Sequence, residues 1–132
     1  MRRNVRATFS RPVHWVGSSR EDLRDMKEEV QDEIGKALQR VQWGGRPQNA
    51  TPLKGFHGAS VQEIKVDEDT DAYRCIYTVQ FVEAIYVLHV FKKKSHEKNK
   101  TPKRDRDLIV LRLRAAEEHY RRIYAANEEE KR

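Results

Sequence analysis

Eight Lys or Arg residues, against two acids (Glu97 and Asp105), fall between Lys92 and Arg106. So dense a run of cations repels itself and needs a negative partner, which makes nucleic acid the expected ligand, with RNA chemistry the sharper form of that expectation. Further cations stand at the ends of apolar segments. Lys54 precedes them, Arg74 begins an alternating one, and Lys92 to Lys94 leave the last. Such a cluster can act on a phosphodiester without metal in three ways. It can bind the phosphate, stabilise charge on the non-bridging oxygens, and favour loss of the proton from a ribose 2′-OH. Lys54, Arg74, Lys92 and Lys93 are therefore the candidates for phosphate binding and transition-state stabilisation. His96 lies in the basic loop and has an unperturbed pKa of ~6.5, which makes it the candidate acid or base. Lys94, Lys98, Lys100, Lys103 and Arg104 are expected to contact the RNA backbone.

Each of these residues also has a plainer reading. Lys92 to Lys94 can be a solvated surface run, and Arg74 can face solvent or pair with Glu63. His89, inside an apolar strand, reads as a satisfied core histidine, and Cys75 as a small buried hydrophobe. Other chemistries find no support. The five histidines (His14, His57, His89, His96, His119) are scattered without metal-ligand spacing to one another or to Cys75. Glu117-Glu118-His119 lacks the second histidine of a zinc helix. No phosphate-cradling glycine loop, dinucleotide fingerprint or paired nucleophile and base is visible, so no metal and no cofactor is expected.

Composition agrees with an anionic partner. The 132 residues carry a formal net charge of +6, enough chain for one domain with a modest core. A single cysteine excludes an internal disulfide framework and suits a reducing cytoplasm. The Arg-rich start has no apolar segment behind it of the kind a signal peptide needs, and no run approaches a bilayer span. A cytoplasmic protein is expected.

The elements that must position these cations follow from periodicity. Val13 to Val16 reads as a short strand. Ser18 and Glu21 fit a capping box that opens a helix from about Ser19 to Gln42, with Leu23, Met26, Val30, Ile34, Leu38 and Val41 along one stripe. Gly35 argues against a straight, uninterrupted helix. Asn49 to Ser60 reads as a loop. Three strands follow: Val61 to Val66, Tyr73 to Phe81 with Tyr73, Cys75, Tyr77, Val79 and Phe81 on one face, and Ala84 to Phe91, apolar enough to be covered on both faces. Short turns between them favour an antiparallel meander. Thr101-Pro102 opens a last helix, with Leu108, Leu111, Ala115, His119 and Ile123 expected on its buried side. The order predicts an α+β domain, a small and mostly antiparallel sheet packed by an N-terminal and a C-terminal helix. Residues 1–10 and 127–132 are expected to be flexible.

In this order, Thr51-Pro52-Leu53-Lys54-Gly55, Gln62-Glu63-Ile64, Tyr73-Arg74-Cys75-Ile76-Tyr77, Tyr86 through Lys94, and Lys100-Thr101-Pro102 resemble the RelE/HigB toxin superfamily. The phage-related HigB-like branch is nearest, and the resemblance runs from about Val13 to Arg122. It implies a compact α+β ribonuclease fold and a toxin paired with a cognate antitoxin, often of helix-turn-helix type. The implied activity is metal-independent cleavage of messenger RNA on the ribosome through the 2′-OH, leaving a cyclic phosphate and a 5′-hydroxyl. Lys54, Arg74 and Lys92 to Lys94 match the family's recurrent basic positions. Tyr120 and Tyr124 in the last helix have no secure equivalence to the C-terminal Tyr or His used elsewhere. The alternatives are a non-catalytic, phage-derived module that binds nucleic acid or a host protein, and a degenerate toxin kept for antitoxin binding.

Overall fold

Strands β1 (Val13–Trp15), β2 (Ala50–Pro52), β3 (Val61–Glu68), β4 (Asp71–Thr78) and β5 (Ile85–Lys94) form one sheet in the order β1-β5-β4-β3-β2. The computed structural model describes residues 10–56, 60–94 and 100–125. β3, β4 and β5 are the expected meander, and β1 joins the outer side of β5 in parallel, with His14 opposite Tyr86. β2 lies in the stretch expected to be a loop. It pairs antiparallel with β3, Thr51 opposite Glu63, and its Pro52 is tolerated because an edge strand leaves one row of N–H groups unused.

The first helical segment is two helices rather than one, α1 (Ser19–Arg24) and α2 (Glu28–Gln42). The break falls at Asp25 to Lys27, where Lys27 is extended (ψ 148°), and Gly35 stays inside α2 on its exposed face. Gln31 stabilises the break by donating from Nε2 to the carbonyls of Arg24 (3.1 Å) and Met26 (2.8 Å). The expected capping box is not formed. Ser18 Oγ donates to Asp22 Oδ2 (2.8 Å) instead of bonding a backbone N–H. Val30, Ile34, Leu38 and Val41 are buried as the stripe required, against Ile64, Tyr73, Cys75, Tyr77, Val87 and Val90 on one sheet face.

The other sheet face is covered by α3 (Lys103–Tyr120), which runs on into a π-helical turn, Arg121–Ala125. Its buried side is not the one expected. Asp105, Ile109 and Ala116 are buried, while Leu111 is 63% and Ile123 41% exposed. The sheet face beneath carries His89, so the helix buries a carboxylate there, and a count of apolar residues cannot register that. His89 reaches this face through a bulge. Ile76 pairs with His89 but Tyr77 pairs with Val87, which leaves Leu88 extra and turns both Leu88 and His89 toward α3. Among the described residues no helix is long and apolar enough to cross a membrane.

Candidate nucleic-acid interface

Beyond the first turn of α3 the sheet face is open, and a cleft of about 530 Å³ lies there. Side-chain alternation decides which residues it receives. β3 contributes Glu63 and Lys65, β2 contributes Thr51, and β5 contributes Lys93. Lys54, Lys100, Thr101 and Arg106 complete the polar lining, with Leu53 as an apolar wall. Five cations therefore face one carboxylate.

The cations are held in different ways. Lys93 is only 5% exposed, and its Nζ donates to the Lys100 carbonyl (2.6 Å), tying the end of β5 to the chain that enters α3. Lys54 is exposed, and its carbonyl accepts from Arg106 Nη2 (3.2 Å). The Arg106 guanidinium also lies 5.5 Å from the centre of the Phe56 ring, a cation–π contact. Gly55 between them has φ +89°, and a Cβ there would run into Arg106, so this turn needs glycine. Lys65 stands exposed on β3.

Beneath the cleft lies Arg74, 2% exposed. Its Nε is 3.3 Å from Glu63 Oε2, an ion-pair contact without a hydrogen bond, while Nη1 donates to Asp67 Oδ1 (3.2 Å) and to the Tyr73 carbonyl (2.9 Å). The pairing with Glu63 weighed from the sequence is thus present. It neutralises the cleft's one carboxylate from below, so the lining keeps an excess of positive charge.

A second buried pair sets the position of α3. His89 Nε2 and Asp105 Oδ1 are 2.7 Å apart, and His89 stacks on Phe91 with ring centres 4.7 Å apart. Arg112 Nη1 donates to the Leu88 carbonyl (3.0 Å) and lies 3.4 Å from His89 Nδ1, and its Nη2 donates to Ser18 Oγ (3.1 Å). The first turn of α3, with Thr101 and Arg106 around it, is therefore fixed to β5 by a polar clasp rather than by apolar packing alone. Cys75 is fully buried in the opposite core, and burial pushes its thiol up to about 12, as expected of a small hydrophobe.

Of the residues singled out from sequence, Lys54, Lys93 and Lys100 meet in the cleft. Arg74 supports it from below. Lys92 does not reach it. Arg74 pairs with Phe91 and Tyr73 with Lys92, so the two cations expected to approach one face point to opposite faces. Lys92 instead lies 3.8 Å from Asp71. Lys103 and Arg104 stand exposed on the first turn of α3, with Lys103 donating to Asp107 (2.9 Å), and neither lines the cleft. His96 and Lys98 lie outside the described residues, as does the side chain of Lys94. Sequence reasoning missed Lys65, Arg106 and Thr51. Alternation from Val61 already placed Lys65 with Glu63, whereas Arg106 needed the true register of α3, and Thr51 needed the unforeseen β2.

Fold and site together define an α+β protein with a cationic cleft on one face of a five-stranded sheet. The family described as phage derived protein Gp49-like (DUF891) matches residues 21–114, and the chain belongs to it. Two solved structures are similar at low identity. A variant of the toxin RelE from E. coli in the free state has a TM-score of 0.48 and 19% identity, over 61% of this chain and 81% of that one. The toxin–antitoxin complex RelBE2 from Mycobacterium tuberculosis has a chain with a TM-score of 0.40 and 15% identity, over 65% of this chain and 94% of that one. Comparison with curated proteins finds no match.

Proposed function

We propose that this chain is the toxin of a toxin–antitoxin pair and an endoribonuclease that cleaves messenger RNA on the ribosome, in the cytoplasm, without a metal. The observation that carries the reading is the cleft, in which five cations face a single carboxylate that Arg74 already neutralises. The ordered motif series through Lys54, Arg74 and Lys93 supports it.

In this reading the scissile phosphate enters between Lys65, Lys93 and Lys54. The 2′-oxygen of the preceding ribose attacks phosphorus, the bond to the 5′-oxygen breaks, and a 2′,3′-cyclic phosphate and a 5′-hydroxyl result. The 2′-OH proton leaves to a base, and the departing 5′-oxygen takes one from an acid. The ammonium groups stabilise the extra negative charge on the non-bridging oxygens in the transition state, where preorganised charge is worth most. Lys100 and Arg106 hold the neighbouring backbone. His96 is the candidate acid or base by residue type. The cognate antitoxin, expected to carry a helix-turn-helix domain, inhibits by laying an acidic segment over the same cations.

Expression of the chain alone in a bacterial host, with transcriptome-wide mapping of 5′-hydroxyl RNA ends, tests this. Growth arrest with new ends in register with codons is expected, and Lys65→Ala combined with Lys93→Ala should abolish both. Arrest without new ends would favour the non-catalytic binding module. Well-expressed protein without arrest would refute a toxin.

A further inference from the structure

At the far end of α3 from the cleft, a second cavity of about 420 Å³ opens on the same side of the sheet. It is lined by His14 from β1, Tyr86 from β5, and Glu118, His119 and Arg122 from the helix and the turn that follows it. Nothing in the cleavage reading uses these groups.

Both imidazoles are held by tyrosines. His14 Nε2 is 2.8 Å from the Tyr124 hydroxyl, His119 Nδ1 is 2.6 Å from the Tyr86 hydroxyl, and the two ring centres are 4.9 Å apart. The aromatic ladder of Phe81, Tyr120 and Tyr124, with stacked centres at 4.2 and 5.3 Å, accounts for the tyrosine side of this cluster as packing. It does not account for the other ring nitrogens. His14 Nδ1 and His119 Nε2 have no partner among the described residues, and both rings line the cavity.

The character of these groups limits the ligand. Burial, then the neighbouring His119, holds His14 below its ordinary 6.5, which favours its neutral, hydrogen-bonding form. A bare anion would meet the Glu118 carboxylate in the lining, which already accepts from Arg121 Nη1 (2.7 Å). An apolar ligand would strand two ring nitrogens against hydrocarbon. Nor do three ligating side chains converge at metal spacing among the described residues. The two unpartnered imidazole nitrogens match the mixed donors and acceptors of a base edge, and an exposed guanidinium at the rim matches a phosphate. The volume falls within the range of about 300–1,000 Å³ usual for ligand sites.

We infer that this cavity binds a single nucleotide of RNA, its base edge on His14 and His119 and its phosphate on Arg122. The inference rests on the reading of the chain as an RNA-directed protein and adds a second contact to it. Along α3 the cleft's Arg106 and the cavity's His119 are 13 residues apart, roughly 20 Å at ~1.5 Å per residue, so one strand can engage both.

The test is titration of the full chain with the four ribonucleoside 5′-monophosphates and with inorganic phosphate, followed by NMR of the histidine ring signals. At least one nucleotide should shift the His14 and His119 resonances to saturation, while phosphate alone shifts neither. Arg122→Ala, an exposed change that leaves the packing intact, should weaken that binding roughly tenfold, the loss of one charge-assisted hydrogen bond. Absence of any saturable shift, or phosphate reproducing the nucleotide's effect, would overturn the site. Since the titration needs no cleavage, the two proposals fail separately: missing 5′-hydroxyl ends in cells count against the nuclease alone.

Discussion

Arg74 offers the clearest separation between a structural and a catalytic cation. Its guanidinium is buried between Glu63, whose side chain is 10% exposed, and Asp67, whose side chain is 66% exposed. Replacing it by Met keeps the stem's packing but leaves the Glu63 carboxylate buried and unpaired. Removing one partner of a buried pair costs about 3–5 kcal/mol. Asp67 can return to water, so the lower end of that range applies. For a domain of this size about 3 kcal/mol lowers the melting temperature by roughly 10 °C or more. Circular-dichroism melts of Arg74→Met should show this, and a second change, Glu63→Gln, should recover much of the loss by removing the stranded charge. Arg74→Met that melts within about 2 °C of the parent yet no longer cleaves RNA would refute the reasoning. The guanidinium would then act on the phosphate and not on Glu63.

The clasp beneath α3 makes a parallel prediction. Asp105→Ala strands His89 and should cost about 2 kcal/mol in urea unfolding, whereas Asp107→Ala, at an exposed pair with Lys103, should leave the midpoint unchanged. Cys75, with its thiol pushed up to about 12, should resist a thiol reagent at pH 8 in the folded protein and react fully once urea unfolds it. His14 gives a pH dependence of known sign. Its folded pKa lies below 6.5, so the unfolded chain binds the proton more readily, and stability present above pH 6.5 is lost as pH falls toward the lower folded value. Melts between pH 7.5 and about 5.5 should show that loss, and His14→Gln should flatten it.

What the sequence made legible was whatever one buried face dictates. The alternation from Tyr73 to Val79 and the stripe from Val30 to Val41 are each set by a single apolar surface, and both appear as read. Features that depend on a partner strand or on a buried polar group were not legible. β2 exists only because β3 offers it an edge, and Ala50-Thr51-Pro52 has no period of its own. The bulge at Leu88 depends on β4's register. The rotation of α3 depends on a histidine that the same bulge delivers, so the stripe through Leu111 and Ile123 failed for one connected reason.

The candidate site shows the same logic in its charges. The run Lys92-Lys93-Lys94 drew attention as a block, yet a strand sends successive side chains to opposite faces, so a block on one strand cannot form a patch on one face. Lys92 goes to the α2 side and only Lys93 reaches the cleft. The patch is assembled across strands instead. Lys65 stands opposite Arg74, Lys93 opposite Ala72, and Ala72 in turn opposite Asp67. A small residue beside Lys93, and a buried Arg74 that takes up the neighbouring carboxylates, leave the cleft with surplus positive charge. Glu63 and Asp67, which a charge count sets against an anionic ligand, instead hold Arg74 inside the sheet and leave the cations of the lining in excess.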